Sequence, residues 1–378
     1  MNTTACSLTF AEYKQHNGIA TSTFVLVPLA VVCSVITAFT IVVNLMLIIA
    51  LVRSRRQETR QAPGKHGITQ MLMTSMAVSD FIFGVFLMPL GVSEIISNGH
   101  WKYGQNLCYV RISFINILCA VSIFHVNCLA LDKLLAVYKP MWYRMRTVRT
   151  GYVMVSVSWL LPVVLLFYTL PAMLNLLGPL NTSVYSLVLF FFVLAFYVPC
   201  MLAYVLYAAV LLKVIKYNRN NFKPKLAVKS SSFGTNSINI EEISKICTSN
   251  VISDSVSNIS TNEVNSTIRQ CDEINLRTNQ SLTEVQGKRS GKAIYTIGSL
   301  VICFTICWLP FWIGPPFLTE DQLPFWFSVL GYWVGYCNSA LNPVLCCFNR
   351  SVRQAVKSFV QSVIQAVNSF IQSKARSK

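Results

Sequence analysis

An aspartate in the middle of an apolar run is the first residue of this sequence that demands a chemical explanation. Asp80, in SMAVSDF, would cost about 2.5–3.5 kcal/mol at the centre of a membrane-spanning helix, so its carboxylate needs partners. Ser122, Asn338, Ser339 and Asn342 supply hydroxyl and amide groups in other apolar runs. A carboxylate among such groups can hold a hydrated cation or a proton; the alternative is an aspartate satisfied by water and its helix neighbours alone. Two further acids sit at the margins, Asp132 at the inner end of the third run and Glu94 near the outer end of the second, and His125 stands alone as a packed residue.

Proline marks a second set of positions. Pro199, Pro310 and Pro343 each interrupt an apolar run, freeing a backbone carbonyl where a helix must kink, and kinked helices can move. Trp308 in CWLPFW and Asn342 in NSALNPVLC stand beside two of them. Phe190, Phe191, Phe192, Phe311, Trp312, Tyr332, Trp333 and Tyr336 form an aromatic wall toward the outer halves of the fifth to seventh runs. In water such a wall would be core packing; in a helix bundle it is also where an apolar ligand enters.

The elements that carry these residues follow from composition. Of the 378 residues, 54% are hydrophobic and only 12% charged, about half the usual charged share. Apolar runs near 23–51, 68–92, 107–138, 152–176, 185–212, 293–316 and 324–347 each exceed the roughly 20 residues that a bilayer crossing needs. The fold class is therefore all-α, a seven-transmembrane helix bundle. A net charge of +17 is compatible with nucleic-acid binding, but 28 of the 31 Lys and Arg fall in alternate loops on one face. The positive-inside rule accounts for them, with the N-terminus outside, the C-terminus in the cytosol and no nucleic-acid partner.

The expected organisation is an extracellular N-terminus at 1–22, helices one to five in 23–212, a third cytosolic loop at 213–292, helices six and seven in 293–347 and a cytosolic tail at 348–378. The first run is too long for a signal-peptide core and is predicted to stay as an anchor. Sequons at Asn2 and Asn181 fall on the outer side and are the expected glycosylation sites. The third loop, rich in Ser, Thr and Asn, cannot bury enough apolar surface to order itself, and it reads either as a phosphorylated regulatory segment or as a linker. The tail spaces Val352, Val356, Phe359, Val360 and Val363 with Arg350, Arg353 and Lys357 at helical period, as in an amphipathic juxtamembrane helix lying on the inner leaflet of the lipid bilayer. Of thirteen cysteines, only Cys6 and Cys108 fall at predicted extracellular positions. There is no HExxH, GxSxG or phosphate loop, and no Lys in 324–347 for a retinal Schiff base, which leaves neither an enzyme nor a light sensor.

Taken in order, Asn44, Asp80, Cys108 with Asp132, Trp159, Pro199 with Tyr207, Phe304 with CWLP, and NSALNP resemble the landmarks of the rhodopsin-like (class A) G-protein-coupled receptors, one set per helix. Within that family WVGYCNS, CWLPFW and SMAVSDFIFGVFLMPL are most similar to the biogenic-amine receptors. The resemblance implies a multi-pass plasma-membrane receptor for a small molecule, acting on a heterotrimeric G protein, with arrestin and kinases engaging the third loop and no cofactor. It implies a ligand site from Ile115, Asn116, Cys119, Phe191, Phe192, Ala195, Trp308, Phe311, Trp312, Tyr332, Trp333 and Tyr336. It also implies an allosteric sodium site from Asp80, Ser122, Asn338, Ser339 and Asn342, and a coupling switch from Asp132, Lys133, Tyr207, Phe304, Pro343 and Cys346.

Departures from the family pattern carry their own expectations. Amine receptors place a counterion Asp seven residues after the outer cysteine, where this sequence has Ile115, so an ordinary protonated amine would lie unpaired in a dry pocket; Glu94 at the rim remains to attract a cation less tightly. Asp-Arg-Tyr becomes Asp132-Lys133-Leu134, and the Tyr after Asn-Pro becomes Cys346. Lysine lacks the planar fork of arginine and cysteine the phenol that would meet Tyr207. A weakly coupling or non-signalling receptor-like scaffold is the alternative reading, and Lys133→Arg with Cys346→Tyr is expected to restore coupling. The loop between helices four and five has no cysteine, so Cys108 lacks the family's usual partner, and Cys6 is the only obvious extracellular candidate for a bridge.

Overall fold

The computed structural model describes residues 23–61, 67–97, 101–173, 190, 193–221, 295–310 and 325–376. The described residues contain helices and no strand. Met1–Lys213 with Lys292–Lys378 form one compact unit and Val214–Gly291 a second, of which the described part, 214–221, is helical.

Among the described residues seven apolar helices run in order: α1 (Thr23–Gln61), α2 (Ile68–Ile96), α3 (Gly104–Tyr138), α4 (Val148–Met173), α5 (Val198–Asn221, whose last eight residues belong to the second unit), α6 (Tyr295–Pro310) and α7 (Phe325–Cys346). A short helix, Pro140–Met145, lies between α3 and α4, and α8 (Arg350–Arg376) follows α7. The spans α1 to α5 are long and apolar enough to cross a membrane. α1 outruns its apolar stretch because RSRRQETRQ contains good helix formers and nothing breaks it before Pro63. α5 likewise continues past Lys213, where the sequence predicts unstructured loop, to Asn221, since no Gly or Pro intervenes. The remainder of that predicted loop and the N-terminal 22 residues lie outside the described residues.

Two π-helical turns follow from prolines. Pro89 has no N–H for the carbonyl of Val85, and Pro199 none for that of Ala195. The chain widens into π turns at Phe83–Leu87 and Val193–Tyr197, which contain those two carbonyls.

α3 packs against α2, α4 and the π turn before α5, while α1 packs against α2, α7 and α8. Leu72, Met76, Ile123, Leu129 and Phe304 are fully enclosed. Val31, Val35, Phe86, Val153, Leu160, Val205 and Ile306 instead point outward and are exposed. A belt of that kind suits hydrocarbon and would be untenable in water. In α8, Val352 and Ala355 are buried, and Val363, Ile364, Val367, Phe370 and Ile371 form an exposed apolar row.

Candidate functional site

At mid-bundle the predicted polar set converges on Asp80, which is 2% exposed. Ser339 Oγ donates to Asp80 Oδ1 at 2.7 Å and Asn342 Nδ2 to Oδ2 at 2.9 Å, so α7 grips α2 through both carboxylate oxygens. Asn342 Nδ2 also reaches Ser122 Oγ on α3 at 3.5 Å. Asn44 Nδ2 donates to the Ser339 carbonyl at 2.9 Å, tying α1 to the same turn of α7. Asn338 is buried beside them, its Oδ1 without a hydrogen-bond partner among the described residues. No three of His, Cys, Asp and Glu gather to hold a metal among the described residues. One carboxylate among neutral oxygens suits a monovalent cation better than a divalent one.

Toward the outer side, Ile115, Asn116, Cys119, Ala195, Trp308, Trp333 and Tyr336 are all buried. Trp308 lies flat against Gly335, where an added Cβ would stand 3.0 Å from its ring carbons, so the glycine is what lets α6 and α7 approach here. Tyr336 meets Phe83 edge-on at 4.9 Å and Trp333 at 5.3 Å, with Tyr332 at 6.4 Å. Asn116 Nδ2 donates to the Ile112 carbonyl, and its Oδ1 has no partner among the described residues. Phe190 is exposed. Phe191, Phe192, Phe311 and Trp312 lie outside the described residues, as do Cys6, Asn2 and Asn181. Cys108 is disulfide-bonded.

Glu94 corrects the expectation of a rim acid open to cations. Its Oε2 is 2.7 Å from Arg111 Nη1, both side chains being mostly buried. The guanidinium lies 5.2 Å over the Trp101 ring, and Arg111, Trp333 and Tyr336 all approach the same face of Gly91. The outer half of the bundle therefore holds its own cation, one helical turn above Ile115.

At the inner end Asp132 is wholly buried and carries two cations. Lys133 Nζ lies 2.9 Å from Oδ2 and Arg146 Nη1 2.8 Å from Oδ1, the latter an ion pair off-axis for a hydrogen bond. Thr69 Oγ1 on α2 donates to Oδ2 at 2.7 Å and accepts from Lys133. Arg146 stacks on Tyr143 with 3.8 Å between guanidinium carbon and ring centroid. Tyr207 presses against Gly298 of α6 so closely that a methyl there would overlap its phenol. Phe304, 6.4 Å from Trp308, is completely enclosed, and so is Cys346. A tyrosine at that last position must open its own space, at about 1–3 kcal/mol, so the proposed repair of coupling there is not a clean substitution.

Residues 43–345 match the family described as 7 transmembrane receptor (rhodopsin family). The chain belongs to that family. This rhodopsin-family receptor is 26% identical over 347 residues to 5-hydroxytryptamine receptor 1F of Mus musculus, covering 85% of this chain and 89% of that one. It is 26% identical over 350 residues to 5-hydroxytryptamine receptor 1D of Homo sapiens, with 88% of each covered. With Trace amine-associated receptor 13c of Danio rerio it shares 25% over 349 residues, 88% of this chain and 84% of the relative. Membership makes it a multi-pass plasma-membrane receptor for a small molecule that acts on a G protein, and not an enzyme.

Several residues of this rhodopsin-family receptor escape a reading by spacing. Arg111 carried a signal, a cation just inside the outer end of the third run, but nothing in sequence aims it at Glu94. Thr69 and Arg146 carried none. His125, expected to be packing, is buried with Nδ1 2.8 Å from the Val121 carbonyl and Nε2 2.9 Å from Ser75 Oγ, and Trp159 Nε1 donates to that same hydroxyl. It fastens α3 to α2 and α4.

Proposed function

We propose that this receptor binds a small, neutral or weakly basic ligand among α3, α5, α6 and α7, and that the ligand is not an ordinary protonated amine. The observation that carries this reading is the pairing of Glu94 with Arg111 next to a buried Ile115: among the described residues the outer half of the bundle offers an ammonium group a resident cation and no open carboxylate. Asn116 Oδ1, buried without a partner among the described residues, favours a ligand with a neutral hydrogen-bond donor. Phe191, Phe192, Phe311 and Trp312 complete the wall in this reading. Binding shifts an existing equilibrium toward an inner face open to the G protein. G-protein dissociation in cells, screened with neutral and amine compounds, tests it: neutral compounds are expected to activate, and tight binding of serotonin, dopamine or histamine to the unmutated chain would overturn it.

In the same reading the N-terminus is extracellular, glycosylated at Asn2 and Asn181, and Cys6 is the partner of Cys108, which non-reducing peptide mapping checks. Arrestin and kinases act through the third cytosolic loop. Sodium binds at Asp80 with Ser122, Asn338, Ser339 and Asn342 and favours the inactive state. An ion at about ten times its Kd adds about 1.4 kcal/mol to the state it binds, worth roughly 2–4 °C in Tm per kcal/mol. Purified receptor is expected to melt higher in sodium chloride than in choline chloride at equal ionic strength, and Asp80→Asn to erase the difference; a wild-type Tm indifferent to the cation would refute the site.

Weak coupling is favoured by a specific observation as well. Lys133, the cation expected to serve the open state, is tied to Asp132 and Thr69, so opening the inner face requires breaking those bonds first.

A further inference from the structure

A cavity of about 500 Å³ lies between the cytosolic end of α1 and α8, and it shares no lining residue with the ligand wall or the Asp132 network. One side is lined by Arg53, Arg56 and Arg60. Their spacing of three and four residues puts three guanidinium groups on one helix face. The other side is lined by Ser351, Gln354, Ser358 and Ser362, again one face of a helix and wholly uncharged. α8 contains no acidic residue in its 27.

Glu58, the single carboxylate in the lining, is turned to other work. Its Oε1 accepts from Ser54 Oγ at 3.3 Å and from Gln70 Nε2 of α2 at 3.1 Å. Arg53 is steadied by stacking 5.3 Å over the Phe359 ring, and neither Arg56 nor Arg60 has an ion pair or hydrogen bond among the described residues. Gln354 and Ser358 likewise offer side-chain donors that no described residue uses. Like charges arranged on one face repel each other, and this arrangement gains most when an anion with several oxygens enters.

We propose that this cavity is a binding site for a polyanionic phosphate ester, held by charge-assisted hydrogen bonds from Arg53, Arg56 and Arg60 and by the Gln354 amide and Ser358 hydroxyl of α8, the Ser351 and Ser362 hydroxyls already donating to Asn349 Oδ1 and to the Ser358 carbonyl. A phosphate of this kind bridges α1 to α8 and holds the juxtamembrane helix against the bundle. Guanidinium forks match phosphate oxygens in pairs, and a multiply phosphorylated head group engages all three arginines at once. The same chemistry is offered by a phosphoinositide in the inner leaflet and by a free inositol phosphate.

Full-length receptor in phosphatidylcholine nanodiscs tests this with one head group presented two ways: dissolved inositol 1,4,5-trisphosphate, and phosphatidylinositol 4,5-bisphosphate mixed into the disc. Saturable binding in either form is expected, and the form that binds identifies the source. The triple variant Arg53→Gln, Arg56→Gln, Arg60→Gln is expected to weaken it about tenfold or more. Ser358→Glu, which puts a carboxylate into the cavity from the opposite helix, is expected to weaken it as well. A matched loss of three charges at the exposed Lys139, Arg149 and Lys216, each changed to Gln, is expected to leave it within about twofold. Binding in neither form, or equal loss in the matched control, would overturn the proposal; receptor Tm shows that each variant is folded.

Discussion

Asp132→Asn is expected to raise basal G-protein activation about tenfold or more at equal surface expression. The carboxylate is wholly buried and holds Lys133 at 2.9 Å and Arg146 at 2.8 Å, with the Thr69 hydroxyl donating to it. Removing one partner of a buried charge pair costs about 3–5 kcal/mol, because the charge left behind is uncompensated. Here two cations are left, on α3 and on the segment after the short Pro140–Met145 helix. That penalty falls on the closed arrangement, where both are enclosed, and is relieved when the inner face opens to water. A shift of about 1.4 kcal/mol in the balance is tenfold in population, so less than half of the penalty suffices. Thr69→Val, which removes one neutral donor worth about 1 kcal/mol, is expected to act in the same direction by a few-fold only. Basal activity that does not move in Asp132→Asn would show that this network is not what keeps the inner face shut.

The parts of this receptor that could be read from sequence are those where one residue's cost is set locally. A run of apolar residues longer than a bilayer, an aspartate inside one, and a proline in a helix each have a free-energy consequence that needs no knowledge of neighbours. The spans and the Asp80 cluster were accordingly legible, down to Ser339 and Asn342 as its donors. The π turns were half legible: Pro199 was singled out as a kink, whereas Pro89, near the end of its run, was not. What could not be read is what depends on helix rotation and on loops. Glu94 and Arg111 are 17 residues apart on different helices, and only the packing of Trp333 and Tyr336 at Gly91 and of Trp101 under the guanidinium turns one toward the other. Arg146 follows a short helix whose existence decides whether its guanidinium reaches Asp132 or faces the cytosol. The enclosure of Cys346 is equally a packing fact, and it sets a steric cost on a tyrosine there that spacing alone does not reveal.

Ile115→Asp alone is expected to give little amine binding, and Ile115→Asp together with Arg111→Gln to give about a hundredfold more. The reason lies on α3 itself. Arg111 and Ile115 are four residues apart, on one helix face, and Ile115 is only 6% exposed. A carboxylate introduced there is buried and needs a cation at once. The nearest is the Arg111 guanidinium, already drawn inward by Glu94 at 2.7 Å, so the single variant satisfies its new acid internally and presents no anion to a ligand. Replacing Arg111 with an uncharged amide removes that competitor and the positive charge that repels an ammonium group, leaving two acids, one deep and one at the rim. A hydrogen-bonded charge pair of this kind carries about 2–5 kcal/mol, which spans a hundredfold at 1.4 kcal/mol per factor of ten. Arg111→Gln by itself frees only Glu94 and is expected to confer weak, salt-sensitive amine affinity. Radioligand binding of serotonin to the four proteins in matched membranes measures the cycle. Equal affinities in the single and double variants would mean that Arg111 does not compete for the site. Tight binding by the unmutated chain would mean that the resident cation does not exclude amines at all.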